Sequence, residues 1–240
     1  MNFGFTEEQN LLKEQVQRFM KEACPMTRVR EISASENAFD KTLWQQAADL
    51  GWLGLTIPES YGGLGLKWID LIVVLEAAAE GLSPLPIASH ALATSAIVAC
   101  ASDEQKARWL PAMASREAVV TLGLYDEANW IDPAAITARA TVAGGKVSLQ
   151  GKKPFVNDAL AADYLLLAVQ GPDGLALAAV GRDQVQVAAQ PTIDSTKPMA
   201  SVDLTGAEID AADLLPLSPE QLAFLTECGG VATTAEMVGA

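Results

Sequence analysis

His90 is the single histidine in 240 residues, and Cys24, Cys100 and Cys228 are the only cysteines. Such side chains are the usual nucleophiles, proton carriers and soft metal ligands, and here they show no metal-ligand spacing. Neither a zinc site, nor any other metal, nor a Cys–His nucleophile is expected. The cysteines read as reduced, mostly buried thiols. His90 sits among Ile87, Leu92 and Ala93, which points to a hydrogen-bonded histidine packed in a helix. Glu227 and Glu236 lie on the last helical stretch, where solvation is the ordinary fate of a carboxylate. Residue type and spacing therefore assign no catalytic group.

A different signal lies in residues 43–66. Leu43, Trp44, Ala47 and Leu50 recur at helical spacing, and Gly51 follows where a left-handed cap is wanted. Pro58 ends the next apolar run, and Gly62, Gly63 and Gly65 permit a tight, irregular backbone. Taken alone, this is a glycine-rich connection between core helices.

The elements around it change character near Ala114. Before that point the pattern is helical. Thr6 and Gln9 form a reciprocal capping pair ahead of the stripe Leu12, Val16, Phe19 and Met20. Residues 69–81 are apolar nearly all round, as in the middle of a bundle. A helix follows Leu85-Pro86, and Ser102 with Gln105 caps another that leads to Trp109 and Pro111. After Ser115 the period becomes two. Residues 119–122, 136–140, 146–149, 164–167 and 175–177 read as short strands, with Gly144-Gly145 and residues 171–174 making two hairpins. Ser218, Pro219 and Gln221 then restart a helix, whose apolar face is expected on Leu222, Leu225, Val231 and Met237. The fold class is α+β: a helical bundle over 1–115, a small β-barrel over 116–217, and the start of a further helical unit over 218–240.

Bulk properties narrow the function. With 50% hydrophobic and 19% charged residues, a real core is expected. The formal net charge of −14 opposes nucleic-acid binding, which cations drive. No apolar run is long and clean enough to span a bilayer, so no membrane is expected. The chain start lacks a basic, apolar secretory leader, so a cytosolic (cytoplasmic) protein is the expectation.

As a set, several stretches resemble the acyl-CoA dehydrogenase family. They are Phe5-Thr6-Glu7-Glu8-Gln9, the 51–65 segment, Glu80-Gly81, residues 105–111, and Val147 through Asn157 followed by Ala162-Asp163. The last is similar to the family strand Leu-Asn-Gly-x-Lys-x-Trp-Ile-Thr-Asn. The resemblance covers essentially the whole chain. It implies an FAD enzyme in which a carboxylate base removes a proton beside an acyl-CoA thioester carbonyl. Flavin N5 takes a hydride from the next carbon, and an electron-transfer flavoprotein accepts the electrons. It implies homo- or hetero-oligomers.

Carried over residue by residue, the family's Thr-Glu-Pro loop falls on Tyr125-Asp126-Glu127, and its Gly-Ser-Asp on Trp130-Ile131-Asp132. The contacts expected from a hydroxyl at 125 and a small residue at 131 have become a phenol and a hydrocarbon. Ile131 thereby becomes the substrate-side candidate. The aromatic that shields the flavin is Phe155, and the group that meets flavin N5 is Asn157. The backbone of Leu122 to Leu124 is expected near the pyrimidine edge. Cofactor candidates are thus Leu122, Leu124, Tyr125, Phe155 and Asn157. The family places its base in or beside a further C-terminal helical domain, and nothing in its pattern makes Glu227 or Glu236 that base. Two readings follow. One is an oxidoreductase chain that depends on another segment or partner for its base; the other is a non-catalytic structural or regulatory subunit of a heteromeric enzyme.

Overall fold

The computed structural model describes residues 4–115, 117–126 and 135–240. Six helices come first: α1 (Glu7–Ala23), α2 (Met26–Ser33), α3 (Lys41–Asp49), α4 (Trp68–Glu80), α5 (Ile87–Cys100) and α6 (Asp103–Ala114). The capping pairs are formed as read. Thr6 and Gln9 start α1, Ser102 and Gln105 start α6, and in each the side chains satisfy one another's backbone amides. The short α2 escaped the sequence reading, because it holds two buried apolar residues, Val29 and Ile32, and no side-chain cap.

The glycine-rich segment folds back on itself. Leu64 N donates to Gly54 O, Gly65 N to Ile57 O and Leu66 N to Leu55 O, at 2.8–2.9 Å. This brings α4 into the bundle centre, where Leu71, Val73, Val74, Leu75, Ala77 and Ala78 are buried.

Ten strands follow among the described residues: β1 (Val120–Gly123), β2 (Arg139–Ala143), β3 (Lys146–Gln150), β4 (Lys152–Asn157), β5 (Tyr164–Gly171), β6 (Gly174–Gly181), β7 (Gln186–Gln190), β8 (Met199–Asp203), β9 (Glu208–Asp210) and β10 (Leu214–Pro216). A seven-stranded sheet runs β10-β6-β5-β2-β3-β9, with β1 parallel to β5, and a three-stranded sheet runs β4-β8-β7. Both expected hairpins, β2–β3 and β5–β6, are antiparallel pairs. Residues 136–138 lie ahead of the ladder, which begins at Arg139.

The α+β architecture is as expected, with the larger sheet curled against the smaller one around an apolar core that includes Val147, Leu165, Leu167, Val180 and Val202. A second core joins helices to sheet through Ile97, Leu110, Met113, Val120, Leu166, Leu215 and Leu225.

The last helix, α7 (Pro219–Gly239), starts at Ser218 with Pro219 in its first turn. Its inward face is Leu222, Leu225, Cys228, Ala232 and Ala235, laid on α4 and α5, whereas Val231 and Met237 face outward. Small residues win the inward positions because the helices approach closely. A Cβ on Gly239 would stand 2.1 Å from Glu76 O.

Candidate functional site

β4 carries Phe155 and Asn157, and a defect in its pairing aims them. Lys153 pairs with Val202 and Val156 with Ala200, so three steps on β4 match two on β8. The extra residue is a β-bulge. It breaks the in–out alternation: Lys153 and Pro154 are both buried, while Phe155 and Asn157 face outward on either side of buried Val156. Phe155 is 63% exposed. An aromatic of that size, in contact with none of the other described rings, is a surface on which a planar ligand can stack.

β1 runs alongside. A Cβ on Gly123 would stand 2.7 Å from Leu167 Cδ2 and 2.9 Å from Val156 Cγ2, so only glycine lets β1 lie this close to β4 and β5. The Thr121 hydroxyl donates to Asn157 O at 2.7 Å and pins the end of β4 to β1. Leu122 is half-buried and, with the buried Leu124, packs on the core that faces the helices. The Tyr125 hydroxyl reaches α7 and hydrogen-bonds Thr226 Oγ1 at 3.2 Å.

Beneath the ledge lies a buried ion pair. Lys153, 0% exposed, donates to Asp126 Oδ1 and stands 3.4 Å from Leu124 O. Asp126 Oδ2 accepts from the Thr137 amide, the Thr137 hydroxyl at 2.8 Å and the Ala138 amide at 2.8 Å. Burial works against both charges and pushes the Lys153 pKa down. Lysine and the surrounding donors outweigh burial at Asp126 and hold its carboxyl below the ordinary range.

At the far end of β4, Asp158 has a left-handed backbone (φ 55°) and accepts from the Ser89 hydroxyl of α5. Beside it Lys197 pairs with Glu236 of α7 at 2.5 Å. Burial lifts the Asp158 pKa to about 6, partly opposed by Ser89 and Lys197 and reinforced by Glu236.

The expected residues are thus distributed unevenly. Phe155 and Asn157 face outward on β4, Leu122, Leu124 and Tyr125 all pack on the core that faces the helices, and Ile131 lies outside the described residues, as do Glu127, Trp130 and Asp132. Glu227 is exposed on α7, and Glu236 is tied to Lys197. His90 is buried between Met113 O (3.2 Å from Nε2) and the Val120 amide (3.4 Å from Nδ1), a packed histidine as read. All three cysteines are free and buried. Sequence reasoning missed the Lys153–Asp126 pair and the Asp158–Ser89 contact. The available signal was a lysine and two aspartates inside otherwise apolar strand and turn patterns.

Residues 6–117 match the profile "Acyl-CoA dehydrogenase, N-terminal domain". The whole chain superposes with TM-score 0.88 and 26% identity on 65% of a chain in the crystal structure of the ChsE4-ChsE5 complex from Mycobacterium tuberculosis. The chain has the acyl-CoA dehydrogenase fold. Mitochondrial isovaleryl-CoA dehydrogenase from Pongo abelii is 30% identical over 169 residues, 68% of this chain and 40% of that protein. Mitochondrial isobutyryl-CoA dehydrogenase from Dictyostelium discoideum is 26% identical over 187 residues, 75% of this chain and 44% of that protein. The chain therefore spans less than half the length of those relatives.

Their names also correct the expectation of a cytosolic protein, since both relatives are mitochondrial. The residues at the chain start are a poor guide to compartment, because nothing in this fold depends on it. Among the described residues, no helix is long and apolar enough to cross a membrane.

Proposed function

We propose that this chain supplies the flavin-facing wall of an FAD-dependent acyl-CoA dehydrogenase, which desaturates an acyl-CoA thioester between its α and β carbons. The observation that carries this reading is the outward pair Phe155 and Asn157, set by the β4 bulge beside β1, in a chain with this fold. The residues present fit the ring of the cofactor. Phe155 offers a free aromatic face, and Asn157, on the same face, can donate a hydrogen bond at the ring edge. The backbone of 122–124 would line the pyrimidine edge. When bound, FAD supplies the hydride acceptor.

What the chain itself does is bind, orient and exclude water. The apolar joint beneath β1, through Val120, Leu124 and Leu166, keeps the floor of the site dry. The proton-abstracting carboxylate is assigned to a segment or partner outside the described residues: Glu236 is neutralised by Lys197 and Glu227 is solvated. An electron-transfer flavoprotein is the proposed acceptor, an acyl-CoA the substrate. The division into units at 115 and 217 belongs to the same proposal.

Flavin absorbance of the purified chain, before and after FAD titration, tests the reading. A visible flavin spectrum that co-elutes with protein supports it. A colourless chain that takes up no FAD at micromolar concentration overturns it.

One observation favours a second reading, a non-catalytic subunit of a heteromeric enzyme. Tyr125 stands where the family expects a small hydroxyl toward the cofactor, and its hydroxyl is committed to Thr226. Native mass measurement decides: a stable complex with a separate flavin-bearing chain, and no flavin on this one, favours the subunit.

A further inference from the structure

We propose that the buried Lys153–Asp126 pair is a positioning element for the cofactor ledge, a role that rests on the flavin reading above. The geometry connects three parts of the site. Lys153 stands two residues before Phe155 and, because of the bulge, points to the opposite side of β4. Its ammonium meets Asp126 and approaches the Leu124 carbonyl, both on the stretch that leaves β1. Asp126 in turn receives the Thr137 and Ala138 amides, so the same carboxylate holds the chain on both flanks of 127–134.

Stability alone is a weak reason to keep such a pair. Taking two charges out of water is costly, and apolar replacements of equal volume are often neutral or stabilising. What the pair supplies is direction: a fully used carboxylate and a lysine in fixed geometry specify one arrangement of β1, β4 and the segment entering β2. If Lys153 turned outward, the bulge would have no inward anchor, and Phe155 would lose the strand geometry that holds it outward.

Two variants test this. Lys153→Met combined with Asp126→Asn removes both charges and leaves an acceptor for the Thr137 and Ala138 amides. Asp126→Glu keeps the pair but lengthens it by one methylene. FAD affinity is measured by titration, the visible circular dichroism of bound flavin at saturation reports the ring's surroundings, and thermal melts report folding.

The double variant is expected to melt close to the parent, yet to bind FAD about tenfold more weakly with an altered dichroism spectrum. Asp126→Glu is expected to shift the dichroism and to weaken binding several-fold. A folded double variant with parental affinity and spectrum overturns the proposal. If that variant does not fold, parental affinity and dichroism in Asp126→Glu do the same. Failure of the unaltered chain to bind FAD overturns the flavin reading and this inference together. Binding by the unaltered chain with indifferent variants overturns the inference alone.

Discussion

The Ser89 hydroxyl, in the first turn of α5, donates to the buried carboxyl of Asp158 at the end of β4, and this contact ties the helical bundle to the β unit. Burial raises the Asp158 pKa from 3.8 to about 6. An acid raised in the folded state binds its proton more tightly there than in the unfolded chain. Stability from this group is therefore greatest when it is protonated, and it falls as pH rises from about 4 to about 6. Asp158→Asn keeps an acceptor for Ser89 and tolerates the left-handed backbone. At pH 8 it should be more stable than the parent by at most about 3 kcal/mol, the worth of a two-unit shift. At pH 4 the gain should be much smaller. Urea melts at the two pH values check this, and an equal gain at both would refute the assignment.

His90 works in the opposite direction over the same range. Burial lowers its pKa from 6.5 to about 4, only partly opposed by its hydrogen bond to Met113 O. The unfolded chain then binds the proton first, so stability from a neutral His90 is lost as pH falls from about 6.5 to about 4. His90→Gln is expected to cost stability at pH 8 through poorer packing against Trp44, and to lose less on acidification than the parent. The readout is the variant-minus-parent difference across pH 4–7. Its slope should be opposite in sign to that of Asp158→Asn.

Much of this fold was legible because its signals are local. The capping pairs Thr6–Gln9, Ser102–Gln105 and Ser218–Gln221 span three residues each, and each is formed. Gly144 and Gly145, with φ 58° and 81°, make the β2–β3 turn that their type implies. Strands β7 to β10 were not read: β7 is mostly exposed and shows no alternation, and β9 and β10 are only three residues long. On α7 the larger side chains Val231 and Met237 drew the reading outward, because close packing on α4 requires small residues inside. Of the proposed site, the sequence reaches Phe155 and Asn157 through the family resemblance alone. Lys153 and Asp126 stand out singly as charges in strand and turn patterns, but they are 27 residues apart and nothing local pairs them. Only the folded sheet brings them together.

Two adjacent glycines in the connection before α4 should respond to alanine for different reasons. Gly62 has φ 84° and open space around its Cα, so Gly62→Ala costs only backbone strain, about 1 kcal/mol. A Cβ on Gly63 would stand 2.1 Å from Ile57 O, and that carbonyl accepts the Gly65 amide. Relief requires the backbone itself to move, so Gly63→Ala should cost about 3 kcal/mol. Denaturant melts of the two variants should give that order, and a Gly62 variant less stable than the Gly63 variant would contradict the close approach.

Phe155 separates a binding role from a structural one. Its ring is largely exposed and touches none of the other rings described, so Phe155→Ala should leave thermal stability within about 0.5 kcal/mol of the parent. Aromatic stacking beyond area burial is worth roughly 0.5–1.5 kcal/mol, so flavin affinity should fall several-fold rather than vanish. Phe155→Trp, which enlarges the stacking face, should preserve or raise it. Titration of FAD into the three proteins, followed by quenching of flavin fluorescence, measures the series. Equal affinities in all three would place the flavin elsewhere than on β4, because no other change is made by substitutions at so exposed a position.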